Sequence, residues 1–121
     1  VAIAGEADTF EHAMLEAAAL LSDGARAVLA VIAEERPPSA YDEWIDDVPF
    51  SYAVALRIGA IDANEDQPAG TTWELHLEAD QGTSTAAAWP HALDLVRAWH
   101  AGDDTLIHAW KTRRWIWRRL G

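Results

Sequence analysis

The chain has 121 residues, half of them apolar and none of them cysteine, which fits one domain with its own hydrophobic core and excludes disulfides, thiol nucleophiles and cysteine-ligated zinc. Its formal net charge is −11 at pH 7. Residues 1–110 hold all 20 acidic residues against four arginines, net −16, whereas 111–121 hold Lys111, Arg113, Arg114, Arg118 and Arg119, net +5; a body this acidic repels phosphate and keeps nucleic acid off most of its surface.

The longest apolar run, residues 27–33, is far short of the roughly 20 residues a membrane span needs. The opening Val1–Glu6 lacks a basic region and does not read as a signal peptide, while the absent initiator methionine marks the chain as trimmed, processed or partial. With no cysteine, this composition points to a soluble, cytoplasmic protein.

Asp8 and Glu11 have capping-box spacing ahead of Phe10, Met14, Ala17, Ala18 and Leu21, which recur every three to four residues. The pattern predicts a helix over 9–22, ended by Gly24. Residues 25–33 are apolar on both faces and rich in β-branched side chains, so they read as a buried strand, with a second helix as the alternative. Pro37-Pro38 ends that segment and Ser39 is placed to cap a helical turn. From Phe50 to Ile58, large apolar residues alternate with small or polar ones, and Trp73, Leu75, Leu77 and Ala79 do the same. Two strands follow, with the polar linker between them suited to an antiparallel hairpin. Pro90 opens a further helix, Gly102 stops it, and Asp103 or Asp104 is placed to cap a last helix from Thr105, although Trp115, Ile116 and Trp117 fit a strand equally well. The predicted architecture is α+β, order α-β-β-β-α-α: one domain over 1–121 with a small antiparallel sheet of about three strands and helices packed on one face.

No phosphate loop, dinucleotide fingerprint or nucleophile elbow is present, so the sequence leans away from an enzyme and implies no cofactor. Three polar groupings are candidate sites. Glu74, His76 and Glu78 share one strand face and suit either an acid–base pair or a solvated surface. Asp62, Asn64 and Asp66 imitate the start of a calcium loop but lack its glycine and its final glutamate. His100, Asp103, Asp104 and His108 crowd one corner, where caps and half-buried histidines compete with a divalent-metal reading; the expectation is that no metal binds.

The leading functional expectation is a non-catalytic module that binds another protein, one with a basic surface, through the acidic stretch Tyr41, Asp42, Glu43, Trp44, Asp46 and Asp47. A homo-oligomer is a further option. The first alternative is a small-ligand protein or enzyme with a pocket between sheet and helices, its polar groups drawn from His76, His91 and His100. The second is a nucleic-acid or anionic-membrane binder acting through residues 110–121, with Arg113, Arg114, Trp115, Trp117 and Arg118 as contacts. Against that stands packing of those tryptophans on the domain, with the arginines paired to its acidic body. Seven tryptophans in all make aromatic burial or an aromatic interface a central question.

Overall fold

Apolar side chains spaced along one stripe coil residues Thr9–Ser22 into helix α1, which buries Phe10, Glu11 and Ala17. The computed structural model describes residues 6–36, 38–41, 50–61, 70–81 and 89–120. After Gly24 the β-branched segment extends into strand β1 (Ala27–Glu34). A single 3-10 turn occupies Ser39–Tyr41, and strand β2 (Tyr52–Gly59) follows with the predicted alternation of half-buried and exposed residues. Strand β3 (Trp73–Ala79), helix α2 (His91–Ala101) and strands β4 (Thr105–Trp110) and β5 (Arg113–Arg119) complete the described chain.

The α+β class and antiparallel pairing match expectation, but the strands divide into two sheets. β1 pairs with β2, from Ala27 opposite Gly59 to Glu34 opposite Tyr52, and the second sheet has the order β3-β5-β4. The predicted hairpin between residues 50–62 and 72–80 is therefore absent, because each of its strands bonds elsewhere. Alternation fixes which face of a strand is buried but does not choose its neighbour. Charge favours the partner found: Glu74 and Glu78 of β3 stand opposite Arg118 and Arg114 of β5, whereas β2 carries only Arg57.

The helix expected from Thr105 is also corrected, to strand β4. Its residues alternate, Leu106 and His108 buried against Thr105 and Ile107 exposed, with a β-branched and aromatic bias that favours extended backbone. β4 turns into β5 through Lys111 and Thr112, with Lys111 in the left-handed region at φ +54°.

One core joins these elements. Phe10 of α1, Ile32 of β1, Ala92, Leu95 and Ala98 of α2, Leu106 of β4 and Trp117 of β5 are all buried, with Met14, Val54, Leu56, Trp73 and Leu75 packed against them. Phe10 stacks on Trp117 at 5.5 Å between ring centres, and Trp73 meets the same indole edge-on at 6.4 Å.

Gly102 ends α2 at φ +80°, where the amides of Gly102 and Asp103 bond back to Trp99 and Ala98. An added Cβ there would meet nothing within 4 Å, so the penalty for a side chain is in the backbone alone. Gly102→Ala is expected to lower unfolding stability by about 1 kcal/mol in urea titration, with Gly59→Ala, which has neither a positive φ nor a crowded Cβ, at least neutral.

Candidate functional site

The densest chemistry lies under the inner face of the second sheet, where α1, α2, β4 and β5 converge. The first turn of α1 points Asp8 and Glu11 inward, and both are fully buried. Asp8 does not cap its helix through its side chain. Its Oδ2 instead accepts from Arg113 Nε at 2.8 Å and from Trp115 Nε1 at 2.9 Å, while Oδ1 accepts from Arg113 at 3.2 Å. His12, one turn along, brings Nε2 to 3.5 Å from Asp8 Oδ2.

Glu11 sits between two stacked imidazoles, His91 and His108, whose ring centres are 4.1 Å apart. Glu11 Oε1 hydrogen-bonds His91 Nδ1. Glu11 Oε2 faces His108 Nδ1 at 3.4 Å and accepts from Trp117 Nε1 at 3.3 Å. The far nitrogen of His108, Nε2, bonds Asp94 Oδ2 at 2.9 Å, and Arg97 Nε donates to the other oxygen of Asp94 at 2.7 Å. Burial pushes the Glu11 carboxyl up, but hydrogen bonds from His108 and His91 outweigh it and hold the group below the usual glutamate range. Burial likewise presses His108 down, and its bonds to Asp94 and Glu11 reverse that, leaving its pKa raised. The result is an ion-paired network that runs from the buried Glu11 and His108 through Asp94 to the exposed guanidinium of Arg97. Glu11, His91 and His108 each offer one metal-ligating atom, all within 4.8 Å of one another.

The predicted site residues are placed differently from their sequence grouping. His91 is buried in this network, whereas His76 and His100 are exposed on β3 and α2, so the three do not converge as pocket groups. His76 contacts Glu74 on the outer face of β3, while Glu78 pairs with Arg114 at 2.5 Å. An open hollow of about 500 Å³ lies elsewhere, between Ala33, Glu34, Glu35, Ser51 and Tyr52, and holds none of those histidines. The expected corner of His100, Asp103, Asp104 and His108 is dispersed: as part of a strand, His108 turns inward to Glu11 and Asp94, and Asp103 approaches Arg97 at 3.4 Å.

Residues 110–121 are not a tail. Arg113–Arg119 form the middle strand of a sheet, with Trp115 and Trp117 buried, so neither indole is available to stack on a base or enter a bilayer. Lys111 pairs with Glu6 at 2.7 Å, Arg113 with Asp8 and Arg114 with Glu78, while Arg118 is exposed. The cations of this segment thus answer the acidic body from within the chain. The acidic stretch from Asp42 to Asp47 and the sequence Asp62, Asn64 and Asp66 lie outside the described residues, and of Tyr41 only the backbone is described.

Glu11 and Asp94 are candidate-site residues that no motif marks. Glu11 has the spacing of a capping residue, and Asp94 falls in the first turn of α2, where acids are ordinary. The available signal was an acid on the stripe that carries Phe10 and Met14.

The described residues form a small α+β domain with two antiparallel sheets, two helices and a histidine–carboxylate network centred on the buried Glu11 and His108. The chain belongs to the beta-ketoacyl synthase, N-terminal domain family, whose profile matches residues 1–118. It is similar to a ketosynthase (ApeO) from Xenorhabdus doucetiae, solved in complex with its chain length factor (ApeC), with a TM-score of 0.76 and 24% sequence identity. The alignment covers 97% of this chain and 45% of that one, so the chain spans less than half the length of the ketosynthase it resembles. No curated protein matches it. Among the described residues no helix is long and apolar enough to cross a membrane.

Proposed function

We propose that this chain serves as a non-catalytic docking domain of ketosynthase type, working by association with a partner polypeptide of the chain-length-factor kind. The observation that carries this reading is the outward face of the β1–β2 sheet. Leu29 and Val31 project there 69% and 63% exposed, beside exposed Ala33, Ala53 and Ala55. Five apolar residues on one sheet face are a costly surface to leave in water, and such a patch is the usual mark of an interaction site. The kind of partner is suggested by the similar ketosynthase, which is found in complex with its chain length factor.

Two further facts favour docking over catalysis. The chain has no cysteine to form a thioester, and the described serines, Ser22, Ser39 and Ser51, are all exposed and stand apart from the buried histidines. The centre of the network is closed to solvent, with Glu11 and His108 both at 0% exposure.

The paired substitution Leu29→Asp and Val31→Lys is expected to abolish co-purification with a co-expressed chain-length-factor polypeptide from the same source, while far-UV circular dichroism stays unchanged. Undiminished association would overturn the reading. The acidic stretch Asp42, Glu43, Trp44, Asp46 and Asp47 is proposed as an accessory contact. If it contributes, association weakens as salt rises and falls again on charge reversal at its four acids; an apolar contact alone is nearly indifferent to salt.

A further inference from the structure

We propose that Glu11, His91 and His108 form a binding site for one divalent transition-metal ion of the zinc type. The donor set is two imidazoles and one carboxylate, a combination zinc takes readily with a fourth position left for water. The three donor atoms lie within 4.8 Å of one another. A tetrahedral zinc with bonds of about 2.0–2.1 Å spaces its ligands about 3.3 Å apart, so the widest gap must close by about 1.5 Å. Glu11 already touches His91, and the two rings, stacked with 21° between their planes, would splay about their χ2 bonds so that both in-plane lone pairs meet at the ion.

The surroundings are those of a metal site rather than of three polar groups that happen to meet. Asp94 grips the far nitrogen of His108 at 2.9 Å, which fixes the ring so that Nδ1 faces Glu11 and His91. A carboxylate holding the outer nitrogen of a ligating histidine is the common supporting arrangement at zinc. Trp117 fixes Glu11 in the same way through Oε2. Charge agrees at Glu11, a fully buried carboxylate contacted by two imidazoles and an indole N–H, whereas Asp94 already has Arg97. The ligands come from α1, α2 and β4, so an ion here would tie together elements distant in sequence, a structural role independent of the docking surface.

The test is titration of the metal-free chain with Co²⁺, whose visible absorption reports tetrahedral nitrogen and oxygen ligation, beside Zn²⁺ content after dialysis and the shift in Tm with Zn²⁺. The expected result is one ion per chain, a visible band, and a rise in Tm. His91→Gln should weaken binding at least tenfold. Asp94→Asn, which leaves the three ligands in place, should weaken it by about 10–100-fold. His76→Ala and His100→Ala, on the exposed surface, should change nothing. Circular dichroism of each metal-free variant checks that it folds, and Asp94→Asn carries the test if His91→Gln does not. Absence of a band and of a Tm shift in the unaltered chain overturns the site, as does binding that survives His91→Gln or is lost in His76→Ala.

Discussion

A chain ending at Trp110 is expected not to fold. The truncation removes β5, the middle strand to which β3 and β4 both bond, so neither remaining strand of that sheet keeps a partner. It also removes Trp115 and Trp117, which are 1% and 5% exposed. Each indole buries on the order of 200 Å², worth about 5 kcal/mol at about 25 cal/mol per Å². The pair together matches the whole stability of an ordinary domain, about 5–15 kcal/mol. Removing Arg113 as well leaves Asp8 without its guanidinium. The truncated chain should show no near-UV dichroism and no cooperative urea transition. A sharp transition close to that of the intact chain would mean that residues 111–121 are dispensable, as a recognition tail would be.

Asp8→Ala is expected to destabilise the domain by about 2–3 kcal/mol at pH 7. The substitution strands the Trp115 N–H in the interior and deprives Arg113 of two hydrogen bonds. Arg113 keeps a solvent-facing edge, which holds the cost below that of a fully enclosed pair. The pH dependence follows from the same contacts. Burial raises the Asp8 carboxyl, but hydrogen bonds from Arg113 and Trp115 more than offset it, so its folded pKa lies below the ordinary 3.8. A carboxyl depressed in this way adds stability that is fully present above 3.8 and lost as pH falls through the folded value. Urea unfolding below pH 4 should therefore be shallower against pH in Asp8→Asn than in the unaltered chain. Parallel acid limbs would show that the Asp8 charge contributes nothing.

Much of the secondary structure was legible, because it depends on local pattern. The three-to-four spacing after Asp8 marked α1, the alternation around Val54 and Leu75 marked β2 and β3, and Pro90 with Gly102 bracketed α2. Pairing was not legible. β2 turned back to β1 and β3 reached forward to β5, a choice made by cross-strand charge and by the shared core rather than by the linker between β2 and β3. The β4–β5 turn was hidden because Lys111-Thr112 lacks the Asn-Gly or Asp-Gly signature of a two-residue hairpin, so β4 read as a helix. The candidate site was legible only in pieces. In sequence His91 goes with His76 and His100 as a pocket group, His108 goes with His100, Asp103 and Asp104 at a corner, and Glu11 has the spacing of a cap. Their meeting depends on four elements packing together, which no local spacing encodes.

The Asp8–Arg113 contact joins residues 105 positions apart, and Trp110 and Lys111 reach Glu6 across a similar separation. Closing a loop of that size has a large entropic cost before any contact offsets it. α1 can rest on β1 early, but Asp8 and Phe10 find Arg113, Trp115 and Trp117 only when the fifth strand arrives. On a ribosome, the first helix of this segment would emerge long before its counterpart and wait with Phe10 uncovered. Such topologies fold slowly and expose apolar surface on the way. The interval in which Phe10 is most open to other chains is thus the synthesis of the residues between it and Trp117.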